Sequence, residues 1–317
     1  MVAPFPFIVG RGRSGTTLLR AMFDSHPDIA IPPESHFVVG LSLSNDLYLS
    51  DGFASDVFLR KLLAREHFRR WELPTEDVRA AFDDGVDGYA DAIRRVYSIY
   101  AAQHGKRRYG DKTPSHVLHV AYLAQMFPEG RFIHVIRDGR NGALSYVKER
   151  FGPKTVGEAA IWWKRAVITG RNAGRRLGEG RYREIRYETL VESPEATLRD
   201  LSEFIDVSFD EAMLRYFDRA DEILAGPAID PSAHLNLYRA PTANIRDWRQ
   251  EMSRSDMALF EAIAGDLLSE LGYERAMTKV PVSARIQARG AWSAVQVQRA
   301  IGRARKELRR WKHTSPR

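Results

Sequence analysis

The feature that most constrains the fold of this chain is a glycine-rich turn between an apolar run and an amphipathic stretch. Residues 5–9 are apolar and predict a buried β-strand, whereas residues 15–24 carry apolar side chains at helical spacing. The turn over 10–17 reads Gly-Arg-Gly-Arg-Ser-Gly-Thr-Thr. Small residues let several backbone N–H groups point at one anion, and a helix N-terminus adds a favourable dipole. The pattern predicts a phosphate- or sulfate-binding loop, with an ordinary strand-to-helix turn as the alternative.

The rest of the chain alternates between short apolar runs and longer helical stretches. Strands are expected at 29–31, 131–136 and 184–187, and helices at about 55–103, 114–127, 156–176, 194–205 and 254–273, with one more after Gly139. Such alternation predicts an α/β fold with a parallel sheet and right-handed crossovers. No apolar run approaches the roughly 20 residues of a membrane helix, and the first residues lack a signal-peptide pattern, so we expect a cytoplasmic protein.

Two familiar nucleotide-binding patterns nearly fit the first loop. Gly10, Gly12 and Gly15 satisfy the dinucleotide fingerprint after a strand, and Glu34 lies about 20 residues further on. Gly10 and Gly15 also match the ends of a nucleoside-triphosphate P-loop. That loop requires a lysine after its second glycine, and Thr16 stands there instead. Both patterns therefore remain weak alternatives.

A third pattern fits residues 13–17 without adjustment: a cation followed by Ser-Gly-Thr-Thr. With its continuation Leu-Leu-Arg-Ala-Met-Phe-Asp-Ser-His-Pro, the loop resembles the 5′-phosphosulfate loop of the sulfotransferase family. The arginine form looks like the branch that contains tyrosylprotein sulfotransferases and many bacterial enzymes. The resemblance is sharp over 4–36, 109–149 and 181–206 and loose over 244–273, whereas 40–105 and 207–240 match no known pattern.

A second loop tests this resemblance independently. Arg137 follows the apolar run 132–136, and Ser145 comes eight residues later, as in the 3′-phosphate site of the family. A guanidinium can bind phosphate through two parallel hydrogen bonds, and a hydroxyl adds a neutral donor. The structural alternative is an Arg/Asp pair that caps a helix, with Ser145 as a small packing residue.

The resemblance implies a P-loop-like three-layer α/β fold in which helices flank a central parallel sheet. It also implies 3′-phosphoadenosine-5′-phosphosulfate as sulfuryl donor, adenosine 3′,5′-bisphosphate as product, and no metal. We expect a sulfotransferase domain over 1–281, in which a helical insertion at about 40–105 shapes the acceptor pocket. The residues expected to bind the donor are Arg13, Ser14, Gly15, Thr16, Thr17, Arg137, Ser145, Tyr187, Arg246 and Arg249.

Three residues receive catalytic roles from the resemblance. Arg13 would clamp the 5′-phosphate and its bridging oxygen, and Lys112 would neutralise the sulfuryl oxygens. Glu34, 21 residues after Arg13, is the candidate general base for the acceptor hydroxyl. Cytosolic sulfotransferases use a histidine base, so His36 and His116 remain lesser candidates. The structural alternatives are a salt bridge at a helix start for Lys112 and a helix-capping role for Glu34.

One motif of this chain departs from the family pattern, and two aspects of its composition bear on metal and cysteine chemistry. An arginine that tyrosylprotein sulfotransferases carry after the serine is matched by Glu149, so the cation that serves near 148–150 is undetermined. His116 and His119 have a spacing that could ligate metal, yet no nearby carboxylate pattern supports a metal site. The absence of cysteine excludes disulfides, thiolate zinc sites and cysteine nucleophiles.

The expected function is sulfuryl transfer to a hydroxyl of a carbohydrate, lipid or small metabolite. The resemblance lies in the catalytic loops and not in acceptor-binding segments, so it does not imply a protein acceptor. The alternative is a P-loop-like nucleotide-binding protein or kinase that performs no sulfuryl transfer. The basic pI of about 9.6 invites a nucleic-acid partner, but the chain contains no recognised nucleic-acid-binding motif, and we expect none.

The net charge of +7 comes from the end of the chain. Residues 282–317 contain ten basic residues and one acidic residue, so the remainder is nearly neutral. Within this tail, apolar residues repeat at helical spacing and predict one apolar helix face: Val297, Ile301, Ala304, Leu308 and Trp311. Such a basic helix could bind a membrane surface. Alternatively, it could pack on the core of its own chain or on a partner subunit in a homodimer, or it could remain a solvated tail.

Overall fold

The computed structural model describes residues 2–50, 52–147, 152–224, 237–241 and 247–314, with the backbone alone at Arg299 and over 302–314. The chain divides into two compact units. The first unit combines Met1–Arg137 with Ala166–Ile245, and the second combines Asp138–Arg165 with Arg246–Arg317. The expected division into 1–281 and 282–317 stays a prediction.

The described strands are β1 (Phe5–Gly10), β2 (Ile29–Ala30), β3 (Tyr48–Leu49), β4 (Gly52–Phe53), β5 (Arg108–Tyr109), β6 (Asp111–Lys112), β7 (Gly130–Ile136) and β8 (Tyr182–Arg186). Four of them form a parallel sheet in the order β6-β1-β7-β8, which lies in the first unit. The predicted α/β fold with a central parallel sheet flanked by helices is therefore confirmed. Among the described residues, two further pairs, β2 with β5 and β3 with β4, form small separate sheets.

The described helices are α1 (Thr16–Asp24), α2 (Phe37–Ser42), α3 (Ser55–Leu63), α4 (Glu66–Arg69), α5 (Thr75–Ala80), α6 (Tyr89–Gln103), α7 (Val120–Met126), α8 (Gly139–Val147), α9 (Val156–Leu177), α10 (Tyr187–Glu192), α11 (Pro194–Phe204), α12 (Ala220–Leu224), α13 (Trp248–Glu251), α14 (Arg254–Glu270) and α15 (Val282–Thr314). Short 3₁₀ helices cover Asn45–Leu47, Pro114–His119, Glu211–Met213 and Tyr216–Arg219. None of the helices within the described ranges is long and apolar enough to cross a membrane.

The two faces of the central sheet carry two separate hydrophobic clusters, because successive side chains of a strand point to opposite faces. On β1, Phe5 and Phe7 belong to one cluster and Ile8 to the other. On β7, Phe132 stacks on Phe7 at 5.1 Å between ring centroids, whereas Ile133 faces the second cluster. All six residues of β1 are buried, so the glycine-rich loop begins from a strand that packs on both faces.

The segment 40–105, for which the sequence offered no known pattern, is helical and joins the first hydrophobic cluster. Its aromatic residues Phe58, Trp71 and Tyr97 are buried there. Trp71 also donates its indole N–H to the carbonyl of Pro33 at 2.9 Å. This contact connects the segment to the residue that directly precedes Glu34.

Two boundaries differ from the sequence-based expectation. The single helix expected over 114–127 is a 3₁₀ turn, Pro114–His119, followed by α7. Tyr187 was expected to end a strand but begins α10 instead, since its backbone leaves the ladder after Ile136 pairs with Arg186. Tyr187 therefore occupies the strand-to-helix turn, where side chains of parallel sheets commonly bind ligands.

Within the second unit, contacts of the buried Arg140 connect four segments. Arg140 is fully buried and contacts Asp138 at 2.7 Å and Glu261 of α14 at 3.0 Å. Its guanidinium also lies 3.6 Å from the ring centroid of Trp248 and donates to the carbonyl of Glu274. Each buried charge has a partner of opposite charge, as burial requires.

Candidate active site

Four strand ends meet along one edge of the central sheet. The register pairs Ile8 with Lys112, Gly10 with Val135, and Ile136 with Arg186. Because all four strands are parallel, the glycine-rich loop, Arg137 and Tyr187 follow the carboxyl ends of neighbouring strands. Ligands of open parallel sheets bind at this edge. The sheet therefore brings together residues that the sequence-based analysis selected from three distant motifs.

The first loop has the backbone geometry of an anion-binding nest. Arg13 and Gly15 have positive φ angles of 68° and 93°, and alternation of right- and left-handed backbone conformations is the pattern of such nests. A Cβ on Gly10 would lie 2.6 Å from the carbonyl oxygen of Val135, so this position requires glycine. Ser14 is buried, and its Oγ has no hydrogen-bond partner. Helix α1 begins without a side-chain cap or an acidic residue in its first turn, which leaves its positive end available to an anion.

Tyr187 links the first loop to Arg137. Its ring packs so closely on Gly15 that a Cβ there would lie 2.2 Å from Cδ2. The guanidinium of Arg137 lies 4.4 Å from the centroid of the same ring. Burial raises the pKa of the Tyr187 hydroxyl, and the nearby Arg137 charge partly offsets that rise. Tyr187 is therefore a neutral platform between the two cations expected to hold phosphates.

Glu34 and Lys112 form an ion pair, although 78 positions separate them in the sequence. Lys112 Nζ lies 2.7 Å from Glu34 Oε1, and the lysine side chain is 5% exposed against 35% for the glutamate. His36 Nε2 lies 2.9 Å from the other carboxylate oxygen. Burial alone would raise the pKa of Glu34, but the Lys112 charge and the His36 hydrogen bond outweigh it and lower that pKa well below its usual range. Glu34 is therefore ionised at neutral pH, and His36 must donate the hydrogen bond.

A fully buried carboxylate anchors the backbone on both sides of this pair. Asp111 accepts hydrogen bonds from Ser35 Oγ and Tyr97 OH at 2.6 Å each, and lies 2.9 Å from His116 Nδ1. The Ser35 N–H donates to Thr113 Oγ1 at 3.0 Å. Burial would raise the pKa of Asp111, but His116 and the hydroxyl donors prevail and lower it. Ser35 follows Glu34 and Asp111 precedes Lys112, so the network holds the two catalytic candidates in register.

His116 belongs to this buried network. Its side chain is buried, with Nδ1 on Asp111 and Nε2 without a hydrogen-bond partner. His116 is a lesser candidate base by sequence, but its burial keeps it from solvent. The supporting roles of Asp111, Ser35 and Tyr97 were not predicted. Only the role that the family resemblance implies for Lys112 pointed to this strand.

On its more exposed side, Glu34 is flanked by two histidines. His36 has a φ of 32°, an uncommon angle for a residue with a side chain, and its ring lies 4.5 Å from that of His67 between centroids. Burial, His36 and Arg70 together lower the pKa of His67. His67 comes from α4 within the 40–105 segment, where no motif indicated a functional residue.

The remaining predicted residues belong to the second unit or lie outside the described residues. Ser145 is buried on α8. Arg249 is exposed and pairs with Glu274 at 2.5 Å and with Asp247 at 3.4 Å. Arg246 and the cations near 148–150 lie outside the described residues. Across the part of the chain that the structure describes, no group of three or more His, Asp or Glu residues could hold a metal ion.

Comparison with known proteins gives the class to which this fold and site belong. A family profile described as "Sulfotransferase family" matches residues 4–211, well over half of the chain. Protein-tyrosine sulfotransferase A of Caenorhabditis elegans is 25% identical over 283 residues, covering 86% of this chain and 68% of its own length. Nodulation protein NoeE of Sinorhizobium fredii is 27% identical over 301 residues, covering 87% and 68%. The protein-tyrosine sulfotransferase of Drosophila melanogaster is 28% identical over 222 residues, but the match spans only 40% of its length.

Two solved structures share the fold. The sulfotransferase domain from the olefin synthase of Synechococcus PCC 7002 superposes with a TM-score of 0.60 at 24% identity, covering 86% of this chain and 95% of that domain. The sulfotransferase domain from the curacin biosynthetic pathway gives a TM-score of 0.53 at 20% identity, covering 86% and 99%. These two superpositions show that the chain has the sulfotransferase fold. The chain belongs to the sulfotransferase family, which confirms the predicted family, its enzyme class and the sulfuryl donor expected of that family.

Proposed function

We propose that this chain transfers the sulfuryl group of 3′-phosphoadenosine-5′-phosphosulfate to a hydroxyl of a carbohydrate, lipid or small-metabolite acceptor, with Glu34 as the general base. The observation that carries this proposal is the 2.7 Å ion pair between Glu34 and Lys112. Lys112 ends β6, which pairs directly with β1, so the ion pair lies at the edge of the sheet where the Arg13 loop begins. A base and a cation side by side are what a proton-coupled transfer to a hydroxyl requires.

The first loop fits the donor on its own geometry. Ser14 buries a hydroxyl that has no protein partner, and Arg13 and Gly15 have the positive φ angles that occur in anion-binding turns. When bound, the donor supplies an electrophilic sulfur and a leaving phosphate, and transfer proceeds by in-line displacement. Arg13, Ser14 and the start of α1 bind the 5′-phosphate in this proposal, while Thr16 and Thr17 add donors in the first helical turn.

The 3′-phosphate is assigned to Arg137, with Tyr187 as a support beneath its guanidinium. The guanidinium carbon lies 4.4 Å from the centroid of the Tyr187 ring, a cation–π contact, and a planar guanidinium fork matches phosphate geometry. Ser145, Arg246 and Arg249 are proposed as further donor contacts on the family resemblance alone.

The chemistry of the base follows from its two neighbours. Glu34 is ionised because Lys112 and His36 lower its pKa, so the carboxylate can accept the proton of the acceptor hydroxyl. Lys112 stabilises negative charge that develops on the transferring oxygens. As the Lys112 charge turns to those oxygens, its hold on Glu34 weakens and the proton affinity of Glu34 rises. His36 already uses Nε2 to donate to Glu34, so we assign it an orienting role.

The acceptor site is proposed to include the segment 40–105. The ring of His67 from α4 lies against that of His36 beside Glu34, and Trp71 donates a hydrogen bond to the backbone at Pro33. Several relatives are named protein-tyrosine sulfotransferases, so a tyrosine peptide is the acceptor class against which the proposal must be tested.

Radiolabelled sulfate transfer from the donor tests the reaction and the acceptor class together. Acceptor pools of glycans, lipids, small hydroxylated metabolites and a tyrosine peptide are incubated with the purified chain. We expect label on one of the first three pools and none after Arg13→Ala. Label on the peptide alone would overturn the acceptor assignment, and full transfer by Arg13→Ala would overturn the role of the first loop.

A further inference from the structure

Helix α15 packs on its own chain through a face that the sequence pattern did not indicate. Ala284, Ala288 and Val295 are buried, and their spacing of four and seven residues places them on one side of the helix. Ala291 lies on the same side, where a Cβ on Gly157 of α9 would approach it to 3.2 Å. The neighbour of this face is α14, which belongs to the same unit. The buried residues of this face extend from the start of the helix to Val295.

The opposite side of α15 exposes aliphatic side chains, interrupted between Ile286 and Val297 by Gly290 and Ser293. Four of the exposed large aliphatic side chains of the described residues lie on this helix: Val282 at 69%, Ile286 at 63%, Val297 at 57% and Ile301 at 47%. At 3.6 residues per turn they point about 140–240° away from Val295, so they form one stripe opposite the buried face. The sequence continues this spacing with Ala304, Leu308 and Trp311.

The charge of this segment indicates what could cover the stripe. Residues 282–317 carry ten basic residues and a single acidic one, Glu307. Arg285 and Arg289 are exposed, and the helical spacing places them along one border of the stripe. By the same spacing, Arg305 and Lys312 fall along the other border. A second copy of α15 would bring the same excess of positive charge, which opposes pairing between identical helices.

We propose that the exposed stripe of α15 binds an anionic lipid surface, with the helix lying in the plane of the membrane interface. An apolar stripe bordered on both sides by Lys and Arg is the pattern of interfacial helices, whose aliphatic side chains enter the acyl boundary while the cations meet lipid phosphates. The buried face stays on α14, so the catalytic body need not unfold to bind.

Vesicle sedimentation with the full chain tests this inference. The probes are phosphatidylcholine vesicles with and without phosphatidylserine, each at low and high salt. We expect binding to the anionic vesicles at low salt, little binding to the neutral ones, and loss at high salt because screening weakens surface charge. The double variant Val297→Glu with Ile301→Glu should lower the partition coefficient by about tenfold or more.

A matched variant separates this stripe from general surface hydrophobicity. Leu43 and Leu49 are similarly exposed but belong to the first unit, so Leu43→Glu with Leu49→Glu should leave vesicle binding unchanged. Adenosine 3′,5′-bisphosphate binding and circular dichroism show whether each variant is folded, and Val297→Ser with Ile301→Ser replaces any variant that is not.

Three outcomes would overturn the proposal. They are absence of binding to phosphatidylserine vesicles at low salt, equal binding by the Val297/Ile301 variants, and a dimer in sedimentation velocity that those variants dissolve. The last outcome would assign the stripe to a second copy of the chain. None of the three affects the proposed sulfuryl transfer, which is measured without vesicles.

Discussion

At the scale of single residues, Glu34 is held between an ammonium and an imidazole. Its Oε1 lies 2.7 Å from Lys112 and its Oε2 2.9 Å from His36, so both oxygens have cationic or polar donors. This arrangement keeps the carboxylate ionised, which a base needs, but it also weakens its affinity for a proton. The balance depends on Lys112, which is almost completely buried and has few alternative positions.

Replacing the base should reduce turnover without affecting donor binding. We expect Glu34→Gln to lower kcat by about 10²–10⁴-fold, because an amide cannot accept the proton of the acceptor hydroxyl. The dissociation constant of adenosine 3′,5′-bisphosphate should stay within about twofold, since the first loop is untouched. Labelled-sulfate kinetics and calorimetry measure the two quantities. Glu195→Gln, an exposed carboxyl on α11, is the matched control and should behave like the unmodified chain.

The cause of the lowered pKa can be tested directly. In the Lys112→Met variant, we expect the pKa of Glu34 to rise by about a unit or more, because burial remains and the neighbouring positive charge is gone. Carbon-13 NMR of labelled glutamate carboxyls follows this titration. An unchanged Glu34 pKa in the variant would show that Lys112 does not control the base.

At the scale of elements, the first loop and α10 act as one unit through Tyr187. Gly15 combines a positive φ of 93° with contact to the Tyr187 ring, and Tyr187 in turn stacks on Arg137. The loop geometry is therefore supported from β8 and α10, 167 residues or more away in sequence.

Gly15→Ala should damage both stability and donor binding. The Cβ would meet Tyr187 at 2.2 Å in a backbone conformation that disfavours side chains, so we expect a loss of about 2–4 kcal/mol in the free energy of unfolding. Gly178→Ala is the matched control: its φ is 75°, but nothing lies within 4 Å of the new Cβ. It should cost only about 1–2 kcal/mol. Urea unfolding provides the measurement, and equal losses in both variants would contradict the role of Tyr187.

The sequence predicted the strands and loops of the site but not the contacts that complete it. Apolar periodicity and motif spacing located β1, β7 and the turns that follow them, because these signals are local. The Glu34–Lys112 pair was not predicted, since it depends on the pairing of β2 with the two-residue strand β5, which has no apolar pattern, and on the hydrogen bond from Ser35 to Thr113. His67 was missed because a histidine within an unmatched helical segment gives no local signal.

Helix α15 shows the same difference between local and long-range information. The sequence indicated the apolar series that begins at Val297, and the structure leaves Val297 and Ile301 exposed. The face that packs on α14 consists largely of alanines, whose small apolar surface contributes little to a periodic pattern. Close packing of a helix on its neighbour favours small residues. The buried face therefore gave a weaker sequence signal than the exposed aliphatic stripe.

At the scale of the whole molecule, the charge is unevenly distributed along the chain. Residues 1–281 are nearly neutral, and the three cations proposed to bind anions, Arg13, Lys112 and Arg137, lie at or shortly after the carboxyl ends of β1, β6 and β7. The positive charge lies in 282–317, whose helix α15 packs on α14 within the second unit.

Stability of the whole chain should fall on the acid side because of His134. Burial, reinforced by the Arg171 charge, lowers its pKa to about 3. The unfolded chain binds a proton at this residue below about pH 6.5 while the folded chain does not, so stability falls as the pH decreases from 6.5 toward 3. One such histidine contributes a loss of about 2 kcal/mol between pH 6.5 and pH 5. Urea unfolding of the unmodified chain and of His134→Gln should show the acid slope reduced in the variant, and equal slopes would contradict this assignment.

Calorimetric comparison of three nucleotides tests the central claim most directly. If the two loops form the donor site, adenosine 3′,5′-bisphosphate should bind at least about tenfold tighter than both AMP and ATP with Mg²⁺, because only it carries the 3′-phosphate assigned to Arg137. Arg137→Ala should remove the advantage over AMP, and Arg13→Ala should weaken binding of both nucleotides. Tighter binding of ATP with Mg²⁺, or an unchanged advantage over AMP in Arg137→Ala, would contradict the assignment of this chain's site to the sulfuryl donor.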